Sequence, residues 1–215
     1  MKRQIAVIGL GRFGSAVAVA LQVLGHEVLA IDRDAAKVDA LADVAAHVVQ
    51  ADGGDRAAME ELGVRDVDVG IAAMSGDLAS SILTTLTLKE LGIPYVIAKA
   101  ADDVHATILT KIGADRVVLA ERETAVRLAH TFMLRNAQDY MSLVSDYGIA
   151  KIQPPESIVG RLIKDLDLRG RYDLSLLALC RGNTILLYPR SEDKIEPGDS
   201  LVLAGRDDQL ETLGK

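Results

Sequence analysis

Aromatic residues and cysteine are scarce in this sequence. It has no tryptophan, two phenylalanines and one cysteine, Cys180. A single cysteine cannot form an intrachain disulfide, and its position in an apolar run predicts a buried thiol in a reducing compartment. Because aromatics make up only 3% of the chain, the core must consist mainly of Ala, Val, Leu and Ile. Such a core suits a parallel sheet that is covered on both faces.

Long apolar runs and concentrated positive charge are missing too. The apolar stretch near the N-terminus is interrupted by glycines and an arginine, so it does not have the apolar region of a signal peptide. No run reaches the roughly 18 apolar residues of a membrane helix. The net charge of −7 argues against a nucleic-acid partner, which needs a basic surface. The sequence therefore predicts a cytoplasmic protein that acts at a membrane only through a partner.

The N-terminal part of the chain contains a dinucleotide-binding fingerprint. An apolar run, Gln4–Ile8, leads into Gly9-x-Gly11-x-x-Gly14 and then into a helical segment. Gly9 permits a sharp turn, Gly11 lets a pyrophosphate approach the backbone, and Gly14 lets the helix pack closely on the strand. Asp32 follows the second apolar run about 20 residues later, where a carboxylate accepts hydrogen bonds from ribose hydroxyls. Together these features predict a nucleotide site.

Short β-branched runs alternate with helical patterns as far as Asn136. This alternation predicts an α/β fold with a Rossmann-like doubly wound parallel sheet. Ligands of such sheets lie at the carboxyl ends of the strands. The candidate nucleotide contacts therefore lie in the turns after the predicted strands: Gly9, Gly11, Arg12, Phe13, Gly14, Asp32, Arg33, Asp52, Gly53, Met74, Ser75, Lys99 and Glu121.

Three of these candidates have two interpretations each. Arg12 is either a phosphate contact, in its own subunit or a neighbouring one, or a solvated turn residue. Lys99 is either a phosphate-facing cation or a plain surface lysine. Glu121 is either a carboxylate favoured by the helix dipole in a first turn or a carboxylate of the metal or phosphate site.

The pattern of predicted elements changes near residue 139. A helix is expected near residues 158–166, and strands then follow one another through turns such as Glu196-Pro-Gly-Asp199. We therefore predict two domains, a nucleotide-binding domain at residues 1–138 and a smaller α+β domain at residues 139–215.

No catalytic set is visible in the sequence. The four histidines are interpreted as ordinary, partly solvated residues, since none is paired with a carboxylate as a general base would be. Tyr95 and Lys99 have the spacing of a short-chain dehydrogenase pair, but a β-branched strand would hold them about 13 Å apart. A P-loop, a zinc-ligand cluster and a serine nucleophile elbow are also missing. These absences indicate a sensor, with a small NAD-dependent oxidoreductase or a redox-sensing repressor as the alternative.

Several longer segments resemble one family: Gly9–Gly14, Ile31–Asp34, Ala51–Asp52, Ser81–Gly92, Ala98–Ala100, Lys111–Asp115, Asp167–Tyr172 and Glu196–Val202. Over nearly its whole length the chain is similar to the regulatory subunit of Ktr/Trk-type bacterial potassium uptake systems, an RCK-domain family. The resemblance implies a non-enzymatic cytoplasmic subunit that dimerises and forms an octameric ring beneath a membrane potassium-translocating subunit. It also implies that ATP or ADP changes the shape of the ring, with NAD(H) as the alternative ligand.

The resemblance further implies roles for individual residues. Asp32 matches the ribose acid, Asp52 the adenosine-side acid and Arg12 the phosphate-contacting arginine. Glu121 matches a carboxylate near the terminal phosphate and its divalent cation. The family usually has Gly-Asp-Ala-Thr where this chain has Ala51-Asp-Gly-Gly54.

For the C-terminal domain the resemblance implies a dimer that binds cyclic di-AMP. Arg169 and Pro189 match positions near that pocket. A dimerisation domain without a ligand is the alternative.

Overall fold

The computed structural model describes residues 2–42, 47–74, 76–134 and 136–213. By its contacts the chain divides into two compact units, Met1–Ala120 and Glu121–Lys215. The predicted domain boundary between residues 138 and 139 lies further along the chain than this division. The bounds of the two domains, residues 1–138 and 139–215, therefore stay a prediction.

The first unit is built from alternating strands and helices. Its strands are β1 (Gln4–Ile8), β2 (Glu27–Asp32), β3 (His47–Gln50), β4 (Val69–Ala72), β5 (Tyr95–Lys99) and β6 (Arg116–Val118). Its helices are α1 (Arg12–Val23), α2 (Ala35–Ala42), α3 (Arg56–Glu61), α4 (Leu78–Glu90) and α5 (Asp103–Ile112). The described residues form one parallel sheet in the order β3-β2-β1-β4-β5-β6. The predicted Rossmann-like doubly wound sheet is confirmed.

The central strand β1 shows why the sheet is buried on both faces. Ile5 and Val7 belong to the core on one side, and Ala6 and Ile8 belong to the core on the other. All four side chains are at most 4% exposed. A strand with apolar residues at successive positions can be covered only by helices on both faces, which is the arrangement of parallel α/β sheets.

The second unit is an α+β structure around an antiparallel sheet. Its strands are β7 (Ala137–Val144), β8 (Tyr147–Ile152), β9 (Ser175–Arg181), β10 (Thr184–Leu187) and β11 (Asp199–Arg206), in the order β10-β9-β11-β8-β7. Its helices are α6 (Ala120–Met133), α7 (Ile163–Leu166), α8 (Leu168–Tyr172) and α9 (Asp207–Leu213). The predicted smaller α+β domain is confirmed in its class. In the described part of the chain, no helix is both long enough and apolar enough to cross a bilayer.

Two details of the second unit differ from the sequence prediction. Strand β7 was not predicted, because Tyr140 is its single buried residue and an alternating pattern is therefore absent. The predicted helix near residues 158–166 is instead a short 3₁₀ turn, Glu156–Ile158, followed by the single-turn helix α7. Gly160 separates them with φ = +87°, a left-handed conformation that ends helical geometry.

A partly buried ion pair joins the end of β9 to the start of β11. The Arg181 guanidinium donates through Nε and Nη2 to the two oxygens of Asp199, both at 2.9 Å, and Asp199 is fully buried. The hydrogen bonds that Asp199 accepts from Arg181 hold its pKa below the usual value, and a hydrogen bond from the Glu196 backbone N–H adds a smaller effect in the same direction. Removing the guanidinium would therefore leave a buried, uncompensated carboxylate.

Candidate nucleotide-binding site

The three glycines of the fingerprint do three different things in the structure. Gly9 directly follows β1 and has φ = +95°, which a residue with a side chain rarely adopts. A Cβ on Gly14 would collide with the carbonyl oxygen of Gly9, so this glycine lets α1 lie close against the strand. A Cβ on Gly11 would meet no atom within 4 Å, so the space beside its backbone is open. That open space is where the fingerprint places a pyrophosphate.

The N-terminus of α1 has no side chain of its own to satisfy it. Gly11 is the N-cap residue, it provides no capping hydrogen bond, and the first turn has no acidic residue. In contrast, α3, α4 and α5 are each capped by an aspartate, namely Asp55, Asp77 and Asp102. The free N–H groups and the dipole of α1 therefore favour an anion at this helix end.

Asp32 connects the end of β2 to the glycine turn. One carboxylate oxygen accepts a hydrogen bond from Leu10 N at 2.6 Å, and the other accepts one from Asp34 N at 2.9 Å. Lys37 Nζ lies 3.4 Å from the first oxygen. Since a carboxylate has about four lone-pair positions, Asp32 can hold the turn and still accept a hydrogen bond from a ribose hydroxyl.

Lys99 and Phe13 lie together at the carboxyl edge of the sheet. Lys99 ends β5, is only 7% exposed, and places Nζ 5.5 Å from the centre of the Phe13 ring. This burial does not fit the interpretation of Lys99 as a plain surface lysine. A cation over an aromatic face, next to the open helix end, is well placed for an anionic ligand.

The loop after β3 brings Asp52 and Gly53 to the same edge. Asp52 is exposed, and its carboxylate accepts a hydrogen bond from Gly54 N at 2.9 Å. Gly53 is buried, and a Cβ there would come within 2.8 Å of Thr84 Oγ1 on α4. This close approach leaves no room for a side chain at position 53.

A bridge between Arg33 and the start of α4 was not anticipated from the sequence. Arg33 Nη2 lies 3.4 Å from Asp77 Oδ2, and Nη1 donates to Ser80 Oγ at 3.3 Å. The signal that identifies Asp77 in the sequence is its position just before the helical pattern, where aspartate is a preferred N-cap. Nothing in the sequence pairs it with Arg33.

His105 is not the partly solvated residue that the sequence interpretation expected. It is 3% exposed, its Nδ1 accepts a hydrogen bond from Ala101 N at 3.2 Å, and its Nε2 lies 3.1 Å from Ser81 Oγ. Because Nδ1 is an acceptor, the ring is neutral with its proton on Nε2. Burial, only partly offset by Asp102, lowers its pKa. The ring joins α5 to α4 rather than serving as a free base.

The remaining predicted contacts are placed as follows. Arg12 is exposed at the first residue of α1, and Met74 follows β4 beside Gly9. Ser75 lies outside the described residues. Glu121 begins the second unit, so its role in the nucleotide site stays a prediction. Among the described residues no group of three or more His, Cys, Asp or Glu side chains could hold a metal ion by itself.

The two cyclic di-AMP candidates both lie in the second unit. Arg169 is exposed on α8, and Pro189 follows β10. The role of these two residues in a cyclic di-AMP pocket stays a prediction.

Comparison with known proteins assigns the chain to a family. The TrkA-N domain model matches residues 5–120, and the TrkA-C domain model matches residues 149–215. The chain belongs to the TrkA-N/TrkA-C family. It is 39% identical over 205 residues to the Ktr system potassium uptake protein C of Bacillus subtilis, covering 95% of this chain and 93% of that protein. It is 38% identical over 203 residues to the Ktr system potassium uptake protein A of the same organism, covering 94% of this chain and 91% of that protein. The resemblance predicted from the sequence is confirmed.

Solved structures have the same fold. The GsuK channel superposes with a TM-score of 0.71 at 20% identity, over 100% of this chain and 40% of that one. The GsuK RCK domain gives a TM-score of 0.65 at 21% identity, over 99% of this chain and 48% of that one. This TrkA-family chain thus spans less than half of the GsuK chains that it matches.

Proposed function

We propose that this protein is the nucleotide-sensing regulatory subunit of a Ktr/Trk-type potassium uptake system. The observation that carries the proposal is the open N-terminus of α1 beside Gly11, with Asp32 held next to it. Relatives that are 38–39% identical over most of the chain are named potassium uptake proteins. In this proposal the role is regulatory and non-enzymatic, and His105 serves to pack α4 against α5.

The ligand class that fits the edge of the sheet is an adenine nucleotide. A phosphate group lies at the end of α1, and the ribose lies at Asp32. ATP or ADP is the proposed physiological ligand, and NAD(H) is the alternative. Among solved structures of GsuK, one is bound to NAD and another is bound to ADP. A divalent cation at the terminal phosphate, held by Glu121, is part of the same proposal.

Gating follows from differential binding. A ligand shifts a two-state equilibrium only by the difference between its affinities for the two states. Arg12 is exposed at the start of α1 and reaches the terminal phosphate, either in its own subunit or across an interface. The γ-phosphate of ATP then supplies a contact that ADP lacks, and one ring shape is favoured without any chemical step.

Assembly into dimers and an octameric ring uses apolar surfaces of the second unit. Helix α6 has no buried residue, and it exposes Phe132 at 81% and Met133 at 68%. Edge strand β10 exposes Ile185 and Leu187, each at 64%. Exposed apolar patches of this kind mark interaction surfaces. The membrane partner is the potassium-translocating subunit, at the cytoplasmic face.

Cyclic di-AMP is the proposed ligand of the second unit, with Arg169 and Pro189 near it. A two-fold symmetric ligand suits an isologous dimer, because each half of the ligand makes the same contacts.

Titration calorimetry with ATP, ADP and NADH tests the nucleotide site. Gly11→Val should abolish measurable binding, because the new side chain fills the open space at the helix end. Ala20→Val, which introduces the same residue type at an exposed position near the other end of α1, is the control and should bind normally. Wild-type affinity in a folded Gly11→Val protein would refute the site.

A further inference from the structure

Arg33 crosses the crevice at the carboxyl edge of the sheet. It follows β2, whereas Asp77 and Ser80 begin the helix that follows β4. Strands β2 and β4 lie on either side of β1. The bridge therefore passes over the end of β1, where the glycine turn starts and where doubly wound sheets bind nucleotides.

The bridge contributes little to stability. The Arg33 and Asp77 side chains are 61% and 45% exposed and are separated by 3.4 Å, and solvent screens exposed ion pairs of this kind so that they stabilise a fold only slightly. Its anchor, Asp77, is nevertheless held by hydrogen bonds from Ser80. Asp77 accepts hydrogen bonds from Ser80 Oγ at 2.7 Å and from Ser80 N at 3.2 Å. These bonds, and then Arg33, keep the pKa of Asp77 below its usual value, so the anchor is charged.

The guanidinium keeps a flat face available. Its N–H groups lie in the plane of the group, so the contacts with Asp77 and Ser80 use only the edge. At the other end of the residue, Gln50 Nε2 donates to the Arg33 carbonyl at 3.1 Å and fixes the backbone. Arg33 is thus held at both ends while a planar, cationic surface remains exposed.

The order of groups in a nucleotide indicates what meets this face. The phosphates lie at the end of α1 and the ribose lies at Asp32, so the base lies beyond the ribose, beside the residue after Asp32. We propose that Arg33 is the stacking platform for adenine, held by Asp77 and Ser80. This inference rests on the proposed nucleotide site. It makes Arg33 a specificity-determining residue, because a two-ring purine covers more of the guanidinium than a one-ring pyrimidine does.

The experiment compares ADP with UDP, which differ in the base and share ribose and phosphates. Full-length wild type and Arg33→Ala are titrated with each by calorimetry. Arg33→Ala should weaken ADP about tenfold, equivalent to about 1.4 kcal/mol. It should change UDP less than about twofold, so the ADP-to-UDP preference collapses. Asp77→Asn, which retains an N-cap side chain, should weaken ADP in the wild-type background and have no further effect beside Arg33→Ala.

Arg65→Ala is the matched control. Arg65 is 59% exposed and pairs with Glu60 at 2.9 Å, in the turn before β4 at the opposite edge of the sheet. Its removal should leave both affinities unchanged. If Arg33→Ala retains the wild-type ADP-to-UDP preference, or binds ADP more tightly, the platform is wrong while the site stands. If folded wild type binds neither nucleotide, the proposed site fails and the platform fails with it.

Discussion

Asp32→Asn should weaken both the fold and nucleotide binding, and the structure sets the size of each effect. Asp32 is 5% exposed, and its two oxygens accept separate hydrogen bonds from Leu10 N and Asp34 N. Asparagine has one oxygen and one amino group, so one buried N–H would face another donor. Leaving such a group unsatisfied costs about 1–3 kcal/mol of unfolding free energy.

The binding effect has a different origin. A ribose hydroxyl loses a charged acceptor, and hydrogen bonds to charged groups are worth about 1.5–3 kcal/mol. This corresponds to roughly 10- to 150-fold weaker binding of ADP. Urea unfolding measures the first effect, and calorimetry under native conditions measures the second. Asp39→Asn, at an exposed position on α2, is the control and should change neither. An Asp32→Asn protein with wild-type stability and wild-type ADP affinity would refute both parts of this reasoning.

Three further perturbations test other parts of the molecule. Arg12→Ala should weaken ATP by about 1.5–3 kcal/mol more than ADP, since only ATP has the γ-phosphate; equal losses in calorimetry would show that Arg12 does not read it. Burial lowers the pKa of His105, so the first unit should lose stability as the pH falls below about 6.5. In chemical unfolding, the free energy of unfolding of His105→Gln should depend less on pH between 7.5 and 5 than that of wild type. An equal pH dependence in the two proteins would contradict this. Arg181→Met should lower the free energy of unfolding, because it leaves the buried carboxylate of Asp199 without its charged partner. Because the pKa of Asp199 is lowered, this contribution is complete above about pH 4 and lost below it, so wild type and variant should converge in acid.

The fold of the first unit could be predicted because each local signal agrees with the global structure. Tyr95 and Lys99 have the spacing of a dehydrogenase pair, but the β-branched run between them forms β5 as predicted. The glycines after α1, α4 and α5 have positive φ, as expected after helices. Asp32 lies at the end of β2, where the fingerprint requires an acid. These features depend on residues that are close in the sequence and on the spacing of apolar residues along each strand or helix.

Other features depend on contacts that sequence patterns do not encode. Arg33 and Asp77 are 44 residues apart, and only the sheet order brings them together. Both are exposed charged residues, and each is unremarkable in its own segment. The burial of His105 against Ser81 likewise depends on how α4 packs against α5. Each helix pattern indicates an apolar face, but not which polar side chain of one helix meets the other.

In the proposed function, adenine nucleotides bound at Gly11 and Asp32 regulate potassium uptake. The most direct measurement is potassium flux into proteoliposomes that contain this protein and the Ktr/Trk-type membrane subunit from the same organism. The flux should differ between saturating ATP and saturating ADP, and Gly11→Val should remove that difference while leaving the two proteins associated. Equal flux with ATP, with ADP and without nucleotide, in a complex shown to be assembled, would contradict the account.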